Sequence, residues 1–298
     1  MPVQSMPFGN EDSMTQNRSF VSTLTGSFST PAADNPTVAM VEAAYRALGL
    51  DARYLNCDVQ PEGLADAVRG ARAMGWVGFN CSLPHKVAVV EHLDRLAGSA
   101  QAIGAVNCVV REGQELVGEN TDGQGFVSSL RTVVDPAGAS MVLFGAGGAA
   151  RAIAVESALA GVAEVTVVNR DPGRGASLVD LVERATPARA RQVVWDHTYA
   201  VPAGTSIVVN STSVGLAPHG DALIEVDLDS IGPGMLVADV IPNPAETRLL
   251  REAAERGAET LDGLGMLVEQ GAIAIGLWTG AEPDRAVMRQ ALEDVFGA

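Results

Sequence analysis

The strongest constraint on the fold of this chain is a run of small residues that joins an apolar segment to a stretch of helical periodicity. Residues 140–144 are apolar, residues 149–159 have helical spacing, and the sequence Gly-Ala-Gly-Gly-Ala-Ala lies where they meet. In such a strand–turn–helix, one glycine permits the tight turn, a second admits a pyrophosphate, and a third small residue packs the helix on the strand. The free N–H groups of the helix N-terminus hold the diphosphate. The sequence therefore predicts a dinucleotide-binding turn formed by Gly145, Ala146, Gly147, Gly148, Ala149 and Ala150.

Short apolar runs alternate with longer stretches of helical period along the rest of the chain, a pattern typical of parallel strands joined by crossover helices. Punctuation at residues 135–138, Asp-Pro-Ala-Gly, predicts a seam between two domains. The fold class is therefore α/β with two domains: an N-terminal α/β domain and a Rossmann domain, with C-terminal helices that return to the first domain. We expect strands at 52–57, 75–80, 106–110, 115–118, 140–144, 164–169, 192–195, 205–210, 236–240 and 259–262, and helices at 37–48, 61–74, 123–133, 149–159, 266–279 and 284–296.

Domain boundaries follow from these elements. We expect a flexible leader at residues 1–20 and a first domain formed by residues 21–127 and 264–298. Residues 128–263 are expected to form the dinucleotide-binding domain.

Composition limits the partners. The chain has 36 acidic and 20 basic residues, a formal net charge of −16, which disfavours nucleic acid and anionic membrane surfaces. Its three cysteines are irregularly spaced and suit neither a disulfide framework nor a metal site, so we expect no bound metal. Without an apolar run of signal-peptide or membrane-span length, the sequence predicts a cytoplasmic protein. We further expect a small-molecule substrate and a monomer or homodimer, which composition does not decide.

The residues after the second strand of the predicted Rossmann domain bear on the choice of cofactor. This is where a carboxylate would bind a ribose hydroxyl and an arginine a 2′-phosphate. The segment contains Asn169, Arg170, Asp171 and Arg174. Because arginine offers bidentate donors with a permanent charge, the sequence predicts NADP. Asp171 argues the other way and leaves NAD open.

Polar residues cluster at loop ends in the first domain. The segments 80–86, 104–107 and 118–123 contain asparagine, lysine and aspartate beside apolar strands. Ligands of open α/β sheets collect at the carboxyl ends of strands. The sequence therefore predicts a polar site in the first domain, in a chain whose second domain contains a dinucleotide turn.

Taken in order, these segments resemble one family. The ordered set is Asn80-x-Ser82-x-Pro84-x-Lys86, Ala105-Val106-Asn107, Asn120-Thr121-Asp122-Gly123, the glycine turn, Asn210-Ser211-Thr212-Ser213-Val214-Gly215 and Gly263-x-Gly265-Met266-Leu267-x-x-Gln270. Over residues 24–296 the chain resembles shikimate dehydrogenases and their quinate dehydrogenase relatives.

That resemblance implies an NADP-dependent oxidoreductase of aromatic amino acid biosynthesis, in the chorismate pathway, that interconverts 3-dehydroshikimate and shikimate in a cleft between the domains. By position, Lys86 and Asp122 match the catalytic pair. Asn80, Asn107 and Gln270 match residues on the ring hydroxyls, and Ser82 takes a position usually held by threonine. Ser211, Thr212 and Gly263 are assigned to the cofactor. An ammonium beside a ketone can stabilise alkoxide charge and deliver a proton while a carboxylate orients it; which of the pair holds the proton stays open.

The resemblance weakens where the family binds the substrate carboxylate. Asn35 and Thr37 align with two serines, and Pro242 stands where a tyrosine is usual. Ser27 and Ser29 form a Ser-x-Ser pair that lies too early in the chain. These changes leave open a paralogue that acts on quinate, aminoshikimate or a related hydroxylated cyclohexane acid.

Two other classes stay as alternatives. One is a dinucleotide-sensing protein without catalysis, which would be expected to lack Lys86 or Asp122. The other is a different two-domain enzyme with a similar turn, such as the tetrahydrofolate dehydrogenase or glutamyl-tRNA reductase groups, which would need a lysine or cysteine motif of its own.

Overall fold

The computed structural model describes residues 20–297, so the predicted leader lies outside the described residues except for Phe20. Two six-stranded sheets and a two-stranded ladder form the framework. The strands are β1 (Thr23–Ser29), β2 (Ala52–Asp58), β3 (Gly78–Cys81), β4 (Arg95–Leu96), β5 (Cys108–Glu112), β6 (Glu115–Glu119), β7 (Ser140–Phe144), β8 (Glu164–Asn169), β9 (Arg189–Val194), β10 (Tyr199–Ala200), β11 (Ile207–Asn210), β12 (Val226–Asp227), β13 (Leu236–Asp239) and β14 (Glu259–Leu261).

The α-helices connect and cover these strands. They are α1 (Thr37–Ala47), α2 (Leu64–Ala73), α3 (His85–Ala88), α4 (Ala100–Ile103), α5 (Thr121–Leu130), α6 (Gly148–Leu159), α7 (Pro172–Ala185), α8 (Arg248–Glu255), α9 (Gly263–Thr279) and α10 (Arg285–Phe296). Within the described part of the chain, no helix is both long and apolar enough to span a membrane.

The first sheet is mixed and the second is parallel. Strands of the first sheet run in the order β2-β1-β3-β5-β6-β4, with β3, β5 and β6 paired antiparallel. The second sheet has the order β14-β13-β11-β7-β8-β9, with every neighbouring pair parallel. Its order changes direction beside β7, and ligands bind at the carboxyl ends of the strands at such a point. The predicted two-sheet α/β class with a Rossmann domain is confirmed.

Each sheet is buried on both faces. Apolar side chains of β7, β8 and β11 pack against α5 and α6 on one face of the second sheet. The first sheet packs against α1, α9 and α10 on one face and against α2 on the other. Trp278 of α9 donates its indole N–H to the carbonyl of Val109 in β5 at 2.9 Å. The C-terminal helices therefore return to the first sheet, as predicted.

Most predicted elements form, with shifts that have local causes. The helix predicted at 61–74 opens with a 3-10 turn at Pro61–Gly63, and the strand predicted at 75–80 begins only at Gly78, after Gly75 turns the chain at φ +75°. β9 starts three residues before its prediction. As an edge strand it carries Arg189 and Arg191, which pair with Glu164 at 3.7 and 3.4 Å and interrupt its apolar pattern. The domain limits at 127/128 and 263/264 stay a prediction.

Candidate active site

A cavity of about 200 Å³ opens between the two sheets, where the polar segments of the first domain meet a loop of the second. All six of the predicted substrate residues line it, together with both members of the predicted catalytic pair. Its lining residues are Asn35, Pro36, Thr37, Asn80, Cys81, Ser82, Lys86, Asn107, Asp122, Pro242, Leu267 and Gln270.

Lys86 and Asp122 are in direct contact inside this cavity. The Lys86 Nζ donates to Asp122 Oδ2 at 2.6 Å, and the two side chains are 25% and 14% exposed. Lys86 lies on the short helix α3, and the carbonyl of Lys86 accepts from the Val106 amide at 2.7 Å. Asp122 lies in the first turn of α5, where the positive end of the helix favours a carboxylate. The pair presents one ammonium and one carboxylate to a small ligand.

Lys86 is the only lysine in the chain, and every other basic residue among the 20 is arginine. This count is a signal in the sequence that is independent of the motifs. Arginine keeps its proton in proteins, whereas a lysine ammonium can give one up. The cavity thus contains the one ammonium side chain of a chain that otherwise uses arginine.

Asn107 holds Asp122 in place. Its Nδ2 donates to Asp122 Oδ1 at 2.8 Å and to Thr121 Oγ1 at 3.0 Å, while its Oδ1 accepts from the Thr121 backbone amide at 2.6 Å. Gln270 of α9 completes the group, with its Oε1 at 3.5 Å from Asn107 Nδ2. The Asn107 side chain thus forms its hydrogen bonds with protein atoms. Besides the predicted contact with substrate, it positions the Asp122 carboxylate.

Hydrogen bonds to the end of β3 and to the loop after β2 hold the segment around α3 in place. Asn80, at the end of β3, donates to the carbonyl of Asn107 at 3.0 Å. The buried His85 donates from Nε2 to the carbonyl of Val59 at 2.7 Å, which anchors the start of α3 beside Lys86. Burial raises the pKa of the Cys81 thiol to about 12, so this lining residue stays a neutral thiol rather than a nucleophile. Ser82 lies on the loop between them.

At the end of the cavity that the resemblance assigns to a substrate carboxylate, the central side chain is the amide of Asn35. Asn35 Oδ1 accepts from the Thr37 backbone amide at 3.1 Å, and its Nδ2 donates to Ser27 Oγ at 3.2 Å. Asn56 Nδ2 donates to the Asn35 carbonyl at 2.9 Å. Pro242 adds no hydroxyl. Asn35 and Thr37 line the cavity as predicted, but much of the Asn35 hydrogen-bonding capacity is used within the protein.

Ser27 and Ser29 are buried in β1 behind this end of the cavity. Ser27 Oγ donates to Asn56 Oδ1 at 2.9 Å. Ser27 therefore supports the cavity wall, whereas the buried Ser29 hydroxyl has no hydrogen-bond partner among the described residues. Asn56 was not predicted from the sequence. It is a polar residue on β2, and its place beside Ser27 depends on the pairing of β1 with β2.

The glycine turn has the geometry that its spacing predicts. Gly145 follows β7 at φ +108°, and a Cβ there would lie 2.8 Å from Ser211 Oγ, so the position requires glycine. Gly147 precedes α6 and Gly148 begins it, and a Cβ built on either meets no described atom within 4 Å. Ala150 is fully buried against the sheet. The open backbone at the N-terminus of α6 fits a pyrophosphate.

In the loop after β8, two arginine side chains are exposed and the Asp171 carboxylate is hydrogen-bonded to the backbone. Asp171 Oδ1 accepts from the Arg174 backbone amide at 3.0 Å and caps α7. Arg170 stacks over the Trp195 ring at 5.1 Å, and the side chains of Arg170 and Arg174 are 65% and 75% exposed. Asn169 donates to the Asp171 carbonyl at 2.8 Å. Glu225 Oε2 lies 3.9 Å from Arg170 Nη2, and Asp171 Oδ2 lies 3.9 Å from Arg174 Nε. Because these exposed pairs are long and weak, both guanidinium groups still fit a 2′-phosphate.

The remaining predicted cofactor residues lie beside the turn or support it. Ser211 Oγ donates to the Phe144 carbonyl at 2.6 Å, next to Gly145, and Thr212 Oγ1 donates to Asn210 Oδ1 at 2.7 Å. Gly263 starts α9, and a Cβ there would lie 2.3 Å from the Ile241 carbonyl oxygen. Glycine is therefore required at residue 263 because the backbone at Ile241, next to Pro242, leaves no room for a side chain. The cofactor role of these three residues stays a prediction.

A larger cavity of about 330 Å³ lies between α9, α10 and the second sheet. Its arginines are already paired: Arg285 with Glu269 at 2.8 Å, and Arg289 with Asp262. We regard the smaller cavity as the site because it contains the Lys86–Asp122 pair. Among the described residues, no group of three or more histidine, cysteine or acidic side chains is arranged to hold a metal.

Comparisons with known proteins agree with this geometry. Residues 28–109 match the model of the shikimate dehydrogenase substrate binding domain, and residues 263–293 match that of the shikimate 5'-dehydrogenase C-terminal domain. The shikimate dehydrogenase (NADP(+)) of Methanopyrus kandleri is 42% identical over 258 residues, which cover 85% of this chain and 89% of the relative. The chain belongs to the shikimate dehydrogenase family. The resemblance predicted from the ordered motifs is confirmed.

Two solved structures that are similar to this chain are informative about the substrate. Shikimate 5-dehydrogenase from Listeria monocytogenes, in complex with shikimate and NAD, is 35% identical with a TM-score of 0.88, covering 94% of this chain and 99% of its own. The ligand-free 5-ketofructose reductase of Gluconobacter sp. strain CHM43 is 57% identical with a TM-score of 0.91, covering 93% and 100%. The chain is thus similar to proteins whose names give different substrates.

Proposed function

We propose that this protein is an NADP-dependent oxidoreductase that interconverts 3-dehydroshikimate and shikimate. The observation that carries the proposal is the contact between Lys86, the single lysine, and Asp122 in the cavity between the two sheets. The relatives named shikimate dehydrogenase (NADP(+)) support the reaction and the cofactor.

The residues of the cavity divide the work of a carbonyl reduction. When bound, NADP supplies or accepts the hydride. Lys86 stabilises negative charge that develops on the substrate oxygen and exchanges a proton with it. Asp122, held by Asn107, orients the ammonium and accepts from a substrate hydroxyl. Asn80 and Gln270 bind ring hydroxyls.

The residues that would hold NADP fit it. The N–H groups that open α6 at Gly147 and Gly148 would bind the pyrophosphate. Arg170 and Arg174 would bind the 2′-phosphate, and a site for NAD alone has no need of two exposed guanidinium groups. The loop residues Ser211 and Thr212, beside Gly145, would border the nicotinamide half.

A second candidate substrate is a neutral polyhydroxylated ketone such as 5-ketofructose. Two observations favour it: the 57% identity to 5-ketofructose reductase, and the Asn35 amide at the end of the cavity. Asn35 is committed to Thr37 and Ser27, and Pro242 supplies no hydroxyl, so fewer donors stay available for a carboxylate. An anion without enough hydrogen-bond donors is costly to bind in a partly buried site, whereas a neutral polyol needs fewer.

The deciding experiment is a substrate panel followed at the nicotinamide absorbance. NADP is tested with shikimate and quinate, NADPH with 3-dehydroshikimate and 5-ketofructose, and each reaction is repeated with the NAD pair. The proposal expects the highest kcat/KM for the 3-dehydroshikimate–shikimate pair with NADP. Preference for 5-ketofructose by tenfold or more selects the second candidate, and no turnover of any of the four overturns both.

A matched variant tests the reason for the preference. Asn35→Ser combined with Thr37→Ser restores the two family serines and returns a hydroxyl to position 35, and we expect it to raise kcat/KM for shikimate relative to 5-ketofructose by about 10-fold to 100-fold. An unchanged ratio would show that this end of the cavity does not select the substrate.

We also propose a cytoplasmic enzyme of aromatic amino acid biosynthesis, acting as a monomer or homodimer. The free cysteines Cys57, Cys81 and Cys108 support a reducing compartment.

A further inference from the structure

Tyr54 lies behind the cavity wall and touches one of its predicted substrate residues. It belongs to β2, it is 2% exposed, and its ring packs beside Trp278 with centroids 6.1 Å apart. The Tyr54 hydroxyl donates to Asn80 Oδ1 at 2.8 Å. No motif pointed to this residue.

The hydrogen bonds of Asn80 fix which way its amide faces. Oδ1 is occupied by the Tyr54 hydroxyl, and Nδ2 donates one hydrogen to the Asn107 carbonyl at 3.0 Å. A reversed amide would set Oδ1 against that carbonyl, two acceptors facing each other. The second hydrogen of Nδ2 has no acceptor among the residues that the structure describes. Asn80 therefore offers the cavity a donor.

We propose that Tyr54 is a positioning residue for the substrate, because its hydroxyl holds the Asn80 amide so that an N–H faces the cavity and binds a hydroxyl or carbonyl oxygen. The inference rests on the proposed function only for the identity of that ligand. Without the phenol hydroxyl, Asn80 Oδ1 is a buried acceptor with no donor, and the side chain gains by turning toward water in the cavity. The binding geometry is then lost although Asn80 itself is present.

Burial raises the pKa of Tyr54 well above its ordinary value, so the phenol stays a neutral donor at physiological pH. The chain contains a matched control in Tyr45. It is buried in α1, it shares a hydrogen bond with Thr25 at 2.8 Å, and burial raises its pKa to about 12. Thr25 lies on β1 and is fully buried, away from the cavity lining.

The test compares Tyr54→Phe, Tyr45→Phe, Asn80→Ala and the double variant Tyr54→Phe/Asn80→Ala in steady-state kinetics with the best substrate of the panel. Because a bond present equally in ground and transition state affects binding, we expect Tyr54→Phe to raise the substrate KM about tenfold and to change kcat less than about threefold. Tyr45→Phe should leave KM unchanged. In the Asn80→Ala background, Tyr54→Phe should add nothing, because it acts through Asn80.

A KM for Tyr54→Phe within about twofold of wild type would overturn the proposal, as would an equal effect of Tyr45→Phe or an additive effect in the Asn80→Ala background. A readout without turnover separates this from failure of the proposed function. In protein labelled with ¹⁵N-asparagine, Asn80→Ala assigns the Asn80 side-chain amide signal by its disappearance. That signal should shift in Tyr54→Phe and stay in place in Tyr45→Phe. An unmoved signal in Tyr54→Phe overturns the proposal even if no panel substrate is turned over.

Discussion

Arginine and lysine occupy different kinds of position in this protein. Arginines form the ion pairs of the surface and the loop after β8, while the one lysine faces Asp122 in the cavity. Guanidinium offers rigid donors and a permanent charge, whereas an ammonium is compact and can release a proton. The choice at residue 86 is therefore chemical, and it can be tested by keeping the charge and removing the exchangeable proton.

We expect Lys86→Arg to lower kcat nearly as much as Lys86→Ala, by about 10²-fold to 10⁴-fold, because proton transfer is lost in both variants. Lys86→Arg retains a charge for Asp122, so its thermal unfolding should stay closer to wild type. Turnover by stopped-flow and melting by circular dichroism check the two parts. Near-normal turnover in Lys86→Arg would mean that charge alone suffices.

Asp239 is a buried carboxylate that joins two loops of the cleft. It accepts from Asn210 Nδ2 at 3.2 Å and from Thr247 Oγ1 at 2.9 Å, and it lies at the end of β13, three residues before Pro242. Burial raises the pKa of Asp239 to about 6, against the opposing effect of these donors. The folded protein therefore binds a proton at Asp239 between about pH 4 and pH 6 that the unfolded chain releases.

The sign of the resulting pH dependence follows from that difference. A raised carboxyl pKa contributes stability that is present below the unfolded pKa and is lost as pH rises through the folded value. We expect the free energy of unfolding of wild type, relative to Asp239→Asn, to fall by about 2–3 kcal/mol from pH 4 to pH 7. Urea unfolding of both proteins across this range measures it. A constant difference would contradict the assignment.

At the level of elements, α5 joins the two sheets because glycines let it approach helices on two sides. A Cβ on Gly123 would lie 2.4 Å from the Ala152 carbonyl oxygen of α6, and one on Gly125 would lie 2.6 Å from the Gln270 backbone nitrogen of α9. The same helix carries Asp122 in its first turn. The glycine of the Asn-Thr-Asp-Gly motif is thus required by packing, while its aspartate lies in the cavity.

Gly125→Ala should destabilise the protein and disturb Gln270. The added methyl meets backbone atoms that cannot turn aside, at a cost of about 1–3 kcal/mol that exceeds the gain of about 1 kcal/mol in helix propensity. We expect a lower melting temperature and a higher substrate KM. Ser128→Ala on the half-buried face of α5 is the control and should change neither. An unchanged melting temperature in Gly125→Ala would argue against close packing of α5 on α9.

At the level of the whole molecule, each sheet contributes a different part of the site. The first sheet and its helices supply most of the cavity lining, and the second sheet supplies the glycine turn and the arginine loop. The cofactor loop and the Lys86–Asp122 pair have no residues in common. Changes in one should therefore leave affinity at the other intact.

Arg170→Ala tests this division. Losing a charge-assisted bond to a 2′-phosphate should weaken NADP binding about 10-fold to 100-fold, with little change for NAD and none in substrate KM at saturating cofactor. Fluorescence titration with both cofactors measures the affinities. Arg189→Ala, an exposed arginine at the start of β9, is the matched control and should leave both cofactors unaffected. Equal losses for NADP and NAD would remove Arg170 from phosphate recognition.

The sequence by itself determined what local chemistry fixes. Runs of mostly apolar residues predicted β7 and β8 at their observed limits. A strand that is buried on both faces has such a run, because side chains on both of its sides are in the core. Small residues in a strand–turn–helix context located the turn at Gly145, because a positive φ tolerates little else. Ordered motifs supplied the lining residues of the cavity.

Only the tertiary structure decided how those residues share their hydrogen bonds. That Asn107 holds Asp122 and that Tyr54 lies behind Asn80 depends on contacts between residues 15 and 26 positions apart in the chain. Local periodicity cannot specify such pairs, because each donor and acceptor finds its partner only when separate strands and helices pack together.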